Sequence, residues 1–518
     1  MRVQALGHAG LRLDHCDTRV VIDPWFNPEG AFQASWFPFP RNDHILSGEL
    51  FQATAIVISH EHMDHVDPWF LARVSPSVPV IIPTYPAPAL KEKILVAGQR
   101  PIVEVEPWQR HRIADDVTIF FVSETSPMNH DSAMILEAGG RSLVNLNDAR
   151  ISPPQLRKIR SMVGGNVDVL ALQGAGASWF PICYDYPAPR MAELSLSKRR
   201  AKLGYVERVV GIVEPAVTLP TAGPPCFLDD ELRLYNEELG AAGIFPTQDQ
   251  VAAHLGAAGL EDVATLLPGD VWDTDAGSHI GDDHWRGFSF AESEQYIDDY
   301  ARVRLGDIAA VRQRHPMPQH DLWPSFLAYF DPLLEMNEYF NDQIGMRVGF
   351  DITGPGGGAW AVDFRPGQEG VFADLGDCQY RYTFEGRWLP PIVEGRVPWE
   401  DFFLSLRFRS RRNPDLYNDH LLGLLKFAVP EALDAVQEYE TAEHVEAVTL
   451  VEADGVAYEI QRYCPHAGLD LAESAEVLPG PILRCLGHHY EFDLTTGECV
   501  NGQTGPLQTA VVIGASSS

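Results

Sequence analysis

Ala55-Ile56-Val57-Ile58-Ser59-His60-Glu61-His62-Met63-Asp64-His65 is an apolar run that passes, without a linker, into a cluster of metal-capable side chains. The run reads as a buried strand, because it is apolar at successive rather than alternate positions. Alternate residues leaving a strand point the same way. His60 and His62 can therefore converge on one metal ion. Asp64 and His65, on the turn that follows, can reach a second ion close by. Imidazole and carboxylate together suit zinc or iron. The alternative is a polar helix start with unliganded histidines, and so dense a grouping argues against it.

Outward from this segment the chain alternates short apolar runs with turn signals. Arg19-Val20-Val21-Ile22-Asp23-Pro24 reads as a strand ended by proline, and Leu143-Val144-Asn145-Leu146 as another. Strands with helices between them over residues 1–290 predict an α/β layered domain. The remaining ligands must come from elsewhere in it. His130, in Met128-Asn129-His130-Asp131-Ser132, is the candidate third ligand of the first metal; Asp148, after the strand, is the candidate bridging carboxylate. Asp64 and His130 are the candidate catalytic residues. For a last ligand His279, His284 and Asp270 all qualify by position. His8 could approach from the first strand, either beside the metals or in simple packing. A His-x-His-x-Asp-His pattern after a strand is that of metallo-β-lactamase-type domains. The likeness implies an αββα sandwich.

Residues 291–430 predict a central α+β region. Tyr296, Ile297, Tyr300, Val303 and Leu305 recur near helical spacing. Val348, Phe350 and Ile352 alternate before Gly354-Pro355-Gly356-Gly357-Gly358, and Trp360, Val362 and Phe364 after it, which predicts a β-hairpin. This hairpin, with Glu394-Gly395-Arg396-Val397-Pro398-Trp399, resembles sterol-carrier-like domains. Residues 431–518 read as a small all-β unit of short strands, with a disordered tail.

Two short loops of that last unit carry a second signal. Cys464-Pro465-His466-Ala467-Gly468 and Cys485-Leu486-Gly487-His488-His489-Tyr490 each supply one cysteine and one histidine. Cys464, His466, Cys485 and His488 are the ligand set of a Rieske [2Fe–2S] centre, in which two thiolates hold one iron and two imidazoles the other. The same four groups could hold tetrahedral zinc. Tyr490-Glu491-Phe492-Asp493-Leu494-Thr495-Thr496-Gly497-Glu498 argues for the cluster, because it resembles the strand and turn after the second loop of bacterial Rieske proteins. His489 is not expected to be a ligand, since one tight loop normally sends a single ring to the metal.

The bulk composition narrows the function classes. A chain of 518 residues exceeds what one core usually supports. A net charge of −33 argues against a nucleic-acid footprint. No stretch has the length of a membrane span, and no signal peptide precedes the first strand, so the expected location is the cytoplasm. Seven scattered cysteines do not form a disulfide framework. Lys198-Arg199-Arg200-Ala201-Lys202 and Arg407-Phe408-Arg409-Ser410-Arg411-Arg412 could hold an anionic substrate or simply pair with neighbouring acids.

The chain is similar to the CMP-N-acetylneuraminate hydroxylase family. The resemblance runs through Ser59–His65, Asp131-Ser132-Ala133-Met134-Ile135-Leu136-Glu137, Gly176-Ala177-Ser178-Trp179-Phe180-Pro181 and Arg411-Arg412-Asn413-Pro414-Asp415-Leu416-Tyr417. In that family the Rieske unit comes first, whereas here it comes last, and its residues around the third histidine do not align cleanly with His130. The resemblance implies a non-haem iron monooxygenase, with one or two iron ions, that hydroxylates a small polar metabolite with O₂; a nucleotide-linked sugar is the family's example. Zinc is the alternative metal. Two other readings are a metallo-β-lactamase-fold hydrolase with a regulatory Rieske unit, and an electron-transfer protein. No Gly-x-Gly-x-x-Gly follows a strand, so electrons are expected from a separate NAD(P)H-dependent reductase or ferredoxin. No membrane or nucleic-acid partner is expected, and a homo-oligomer is left open.

Overall fold

The computed structural model describes residues 1–125, 127–176, 178–442, 447–466, 468–486 and 489–512. Two sheets face each other in the amino-terminal part. The first has eight strands, ordered 278–280, 271–273, 2–7, 10–15, 18–22, 55–57, 80–83 and 102–105. The second has six, ordered 217–221, 169–173, 141–145, 132–138, 117–123 and 111–114.

Alternation decides what each face buries. In Val117–Ser123, Val117, Ile119 and Phe121 point between the sheets, against Leu13, Val20 and Met134. Phe120 and Val122 point outward, under helices carrying Leu156, Ile159, Leu203 and Val206. On the other sheet Val21, Ile56 and Ile58 pack beneath Phe70, Leu71, Leu90 and Ile94. The result is the αββα sandwich that the histidine motif implies. The motif follows Ala55–Val57, a parallel strand inside the first sheet, so its side chains emerge at one end of the sandwich.

The central hairpin forms as its alternation predicts. Arg347–Thr353 pairs antiparallel with Gly358–Asp363, setting Val348 opposite Val362 and Phe350 opposite Trp360. These strands lie in a five-stranded sheet covered by helices. Helix Ser293–Arg314 buries Ile297, Tyr300, Ala301, Ile308 and Val311. Val303 and Leu305, expected on that face, are 54% and 57% exposed. They fall outside the 3.6-residue stripe on which the others lie.

Near the boundary expected at 431 lies helix Pro430–Thr441, whose Ala432, Leu433 and Val436 pack into the central core. From Val448 on, the described residues form two three-stranded sheets around Tyr458, Leu483, Tyr490 and Phe492. This unit is tied to the central region where the hydroxyl of Tyr490 donates to Asp419 at 3.0 Å and Asn418 donates to Gln503 at 2.6 Å. Arg208 of the amino-terminal part pairs with Glu476 at 3.3 Å. The expected tail lies outside the described residues. Among the described residues, no helix is long and apolar enough to cross a membrane.

Phe121, fully buried between the sheets, tests this layering. Phe121→Ala should destabilise the amino-terminal domain by about 3–5 kcal/mol in chemical denaturation. Val303→Ala on the exposed helix face should change it by less than about 0.5 kcal/mol.

Candidate functional site

The loop after Ala55–Val57 is held from below by Asp23, which ends the neighbouring strand and is fully buried. Its carboxylate accepts from the Ser59 amide at 2.8 Å and the Ser59 hydroxyl at 2.7 Å, and lies 2.9 Å from His65 Nδ1. Fixing Nδ1 leaves His65 Nε2 facing Asp148, 3.3 Å away, and Asp64, 3.8 Å away. The amides of His65 and Val66 both donate to the His62 carbonyl, closing the turn that carries Asp64.

Three overlapping groups of candidate ligands result: His60, His62 and Asp131; His60, His65 and Asp148; and His8, Asp64 and His65. His60 Nε2 is 2.8 Å from His62 Nδ1, and His8 Nε2 is 2.8 Å from Asp64. Two buried atoms here, His8 Nδ1 and Asp64 Oδ1, lack a hydrogen-bond partner among the described residues. Buried polar groups are rarely left so. Convergent imidazole and carboxylate lone pairs fit one or two divalent metal ions.

The electrostatics agree. Burial, reinforced by His65 and His62, holds the His60 ring well below its usual proton affinity. Burial also opposes charge on His65, but Asp148 and Asp64 reverse the balance and raise it well above its ordinary value. Burial would raise the Asp64 carboxyl, yet His65 and His8 bring it down. The site thus attracts positive charge, which a metal ion would supply.

His130 does not join these groups. It is stacked on Tyr85, with ring centroids 4.8 Å apart, and touches Phe427 at 4.4 Å. Burial pushes its pKa down to about 3, with Lys426 adding to the effect. Its neighbour Asp131 is the one brought among the candidate ligands. His279 lies against Asp270 at 3.0 Å, and His284 stacks on His44 at 3.9 Å, so these three candidates assemble elsewhere. His8, left open between two roles, sits on Asp64.

Other residues at the site carry no local sequence signal. Glu400, from the central region, lies 3.2 Å from His62 Nε2 and 2.9 Å from Lys426. Lys93 donates to the Glu61 carbonyl at 2.7 Å and to Asp401 at 2.8 Å. Central-region side chains therefore close the metal end of the sandwich. Lys198 and Lys202 are engaged locally: Lys198 on Ser178, and Lys202 on the carbonyls of Ala175, Gly176 and Ile244. Arg407 and Arg409 pair with Asp229 and Asp185.

In the carboxy-terminal unit Cys464 and Cys485 are each 2% exposed and His466 is 5% exposed; His488 lies outside the described residues. His466 Nε2 is 2.7 Å from Asp419. Such a carboxylate fixes the tautomer of a metal-binding imidazole. Burial lowers the His466 pKa, but Asp419 outweighs it and raises the value. Cys464, His466 and Cys485 line a small cleft together with Glu124, Arg150, Tyr205 and Arg208. Glu124, whose amide donates to the Asp131 carbonyl at 3.0 Å, has its pKa pushed up to about 7 by burial and by Asp131.

Asp23→Asn should weaken metal binding at the histidine cluster by about 10–100-fold. The comparison is metal retained against a graded chelator, with unchanged circular dichroism. Retention should fall as pH falls in both proteins, because the ligands bind metal only when deprotonated.

Comparison with known proteins bears on these two sites. A β-lactamase superfamily domain model matches residues 18–185, an Rv3818-like, SCP2-like domain model residues 322–442, and a Rieske [2Fe-2S] domain model residues 429–510. The chain is 30% identical to a protein of Mycolicibacterium smegmatis named as a Rieske 2Fe-2S iron-sulfur protein, over 96% of this chain and 98% of that one. It is 29% identical to the Rieske 2Fe-2S iron-sulfur protein Rv3818 of Mycobacterium tuberculosis, over 98% of this chain and 100% of that one. It is 21% identical to the cytidine monophosphate-N-acetylneuraminic acid hydroxylase of Danio rerio, over 82% and 72% of the two chains. CmlA, a diiron β-hydroxylase from Streptomyces venezuelae, superposes with a TM-score of 0.35 at 16% identity, over 54% of each chain. With a β-lactamase-superfamily domain at its amino-terminal end and a Rieske domain at its carboxy-terminal end, the chain belongs to the family of the mycobacterial Rieske 2Fe-2S iron-sulfur proteins.

Proposed function

We propose that this protein is a Rieske-coupled non-haem iron monooxygenase that hydroxylates a small polar metabolite with O₂. The carrying observation is the shared cleft. It is lined by the Rieske ligands Cys464, His466 and Cys485 and by Glu124, whose backbone amide donates to the backbone carbonyl of Asp131, a member of the candidate metal-ligand group. Hydrolysis needs no electrons, so an electron-transfer unit facing the histidine–carboxylate domain favours redox chemistry over a metallohydrolase. The donor set is compatible with it: Asp131 stands among the candidate ligands where His130 was expected, and imidazole with carboxylate suits iron as well as zinc.

When bound, the cluster supplies electrons singly and the histidine–carboxylate iron activates O₂. The chain's own residues hold and shield that site. In this reading His60, His62, Asp64, His65, Asp131 and Asp148 are the iron ligands. Asp23 and Ser59 orient them. Tyr85 and Phe427 pack over His130 and keep water from that flank. Arg150, in the cleft wall, is placed to meet an anionic group of the substrate. His488 completes the cluster with Cys464, His466 and Cys485. The domains are 1–290, 291–430 and 431–518, and the protein works in the cytoplasm with an NAD(P)H-dependent reductase or a ferredoxin as donor. Similarity to the CMP-N-acetylneuraminic acid hydroxylases makes a nucleotide-linked sugar the first substrate to try.

The test is turnover under ¹⁸O₂ with a reductase system and candidate substrates. One atom of ¹⁸O should enter the product, and no product should form anaerobically. Product oxygen drawn only from water, or turnover that survives strict anaerobiosis, would establish instead a hydrolase with a regulatory Rieske unit.

A further inference from the structure

One nine-residue helix, Asp419–Phe427, touches both metal sites while belonging to neither metal domain. Asn418 caps it by accepting from the Leu421 amide at 2.7 Å. Leu421, Leu424 and Leu425, each no more than 2% exposed, lock it into the central core. In its first turn Asp419 lies 2.7 Å from His466 Nε2 and accepts from the Tyr490 hydroxyl at 3.0 Å. In its last turn Lys426 pairs with Glu400 at 2.9 Å, and Glu400 lies 3.2 Å from His62 Nε2. The two ends stand roughly 12 Å apart along the axis, from a rise of 1.5 Å per residue.

Two features exceed what packing requires. Each end makes a charged contact to a candidate metal ligand or to that ligand's partner. The first contact is deeply buried, with the His466 and Asp419 side chains 3% and 8% exposed, and the second is partly buried, with Lys426 and Glu400 13% and 18% exposed. A carboxylate on the far nitrogen of a ligating imidazole fixes its orientation and raises its basicity.

The geometry points to helix Asp419–Phe427 as the connection through which electrons pass from the cluster to the amino-terminal iron, with Asp419 positioning His466 and Lys426 positioning His62 through Glu400. This rests on the oxygenase reading above. The step moves one electron. The ferrous ion of the reduced cluster becomes ferric, and one ferric ion of the amino-terminal site becomes ferrous. No bond forms or breaks, and the reductase or ferredoxin replaces the electron. The fixed negative charge of Asp419 beside His466 favours the oxidised cluster, and so favours release of the electron.

The experiment uses the full-length protein carrying both metal centres. It is mixed anaerobically with one equivalent of reduced ferredoxin and freeze-quenched for EPR of the reduced cluster. In the wild type the cluster signal should rise and then decay. In Asp419→Asn and in Lys426→Met the decay should slow by about tenfold or more. Asp419→Asn should also raise the cluster potential; a tenfold higher reduced-to-oxidised ratio at fixed ambient potential corresponds to about 59 mV for one electron. Lys426→Met should leave the cluster potential where it was, which separates a route from a loosened fold. Wild-type decay in both variants, or an Asp419→Asn potential at or below that of the wild type, would overturn the inference. A wild-type cluster signal that never decays would contradict the oxygenase reading itself, and the helix's role with it.

Discussion

Everything at the metal end of the sandwich depends on one buried carboxylate. Asp23 is fully excluded from solvent, and its two oxygens are shared among the Ser59 amide, the Ser59 hydroxyl and His65 Nδ1. A buried anion is costly unless paired and hydrogen-bonded. Here each bond that satisfies it also fixes a piece of the loop carrying His60, His62, Asp64 and His65. Removing that carboxylate would leave the strand ends in place while freeing the ligand side chains from one another.

The second organising constraint is that three units close over one region. The β-sandwich supplies the histidine cluster, the carboxy-terminal unit supplies Cys464, His466 and Cys485, and the central region fills the space between them. Glu400, Asp401 and Lys426 bring buried charge from the central region to the sandwich. Asp419, in the same helix as Lys426, faces the cluster ligand. Partly exposed ion pairs such as Arg208–Glu476 add little strength. The buried contacts define how the units sit, because an unpaired partner at any of them would be left without water.

Much of this was legible in the sequence because the signals are local. His60, His62, Asp64 and His65 lie within one strand-to-turn passage, and Cys464, His466 and Cys485 in two loops, so spacing alone brings them near one another. The inner and outer faces of Val117–Ser123 follow from alternation. That Asp131 joins the candidate ligands in place of the expected His130 needed the backbone. The two are adjacent, and the loop entering Ser132–Ala138 turns one toward the ligands and the other toward Tyr85. His279, His284 and Asp270 were candidates only by chain position, and they gather with His44 and Asp282 at the sheet edge instead. Glu400, Lys426 and Asp419 reach the sites across hundreds of residues or between domains, a relation no local pattern encodes.

The central claim is that a histidine–carboxylate iron site and a Rieske cluster occupy the same chain. Mössbauer spectroscopy of ⁵⁷Fe-enriched, full-length protein, combined with metal analysis, tests it most directly. The account predicts two populations: the inequivalent iron pair of a Rieske cluster and a separate high-spin component from oxygen and nitrogen ligands. The second should be lost selectively in a His62→Ala variant. Iron confined to the cluster signal, with zinc alone accounting for the remaining metal, would contradict it.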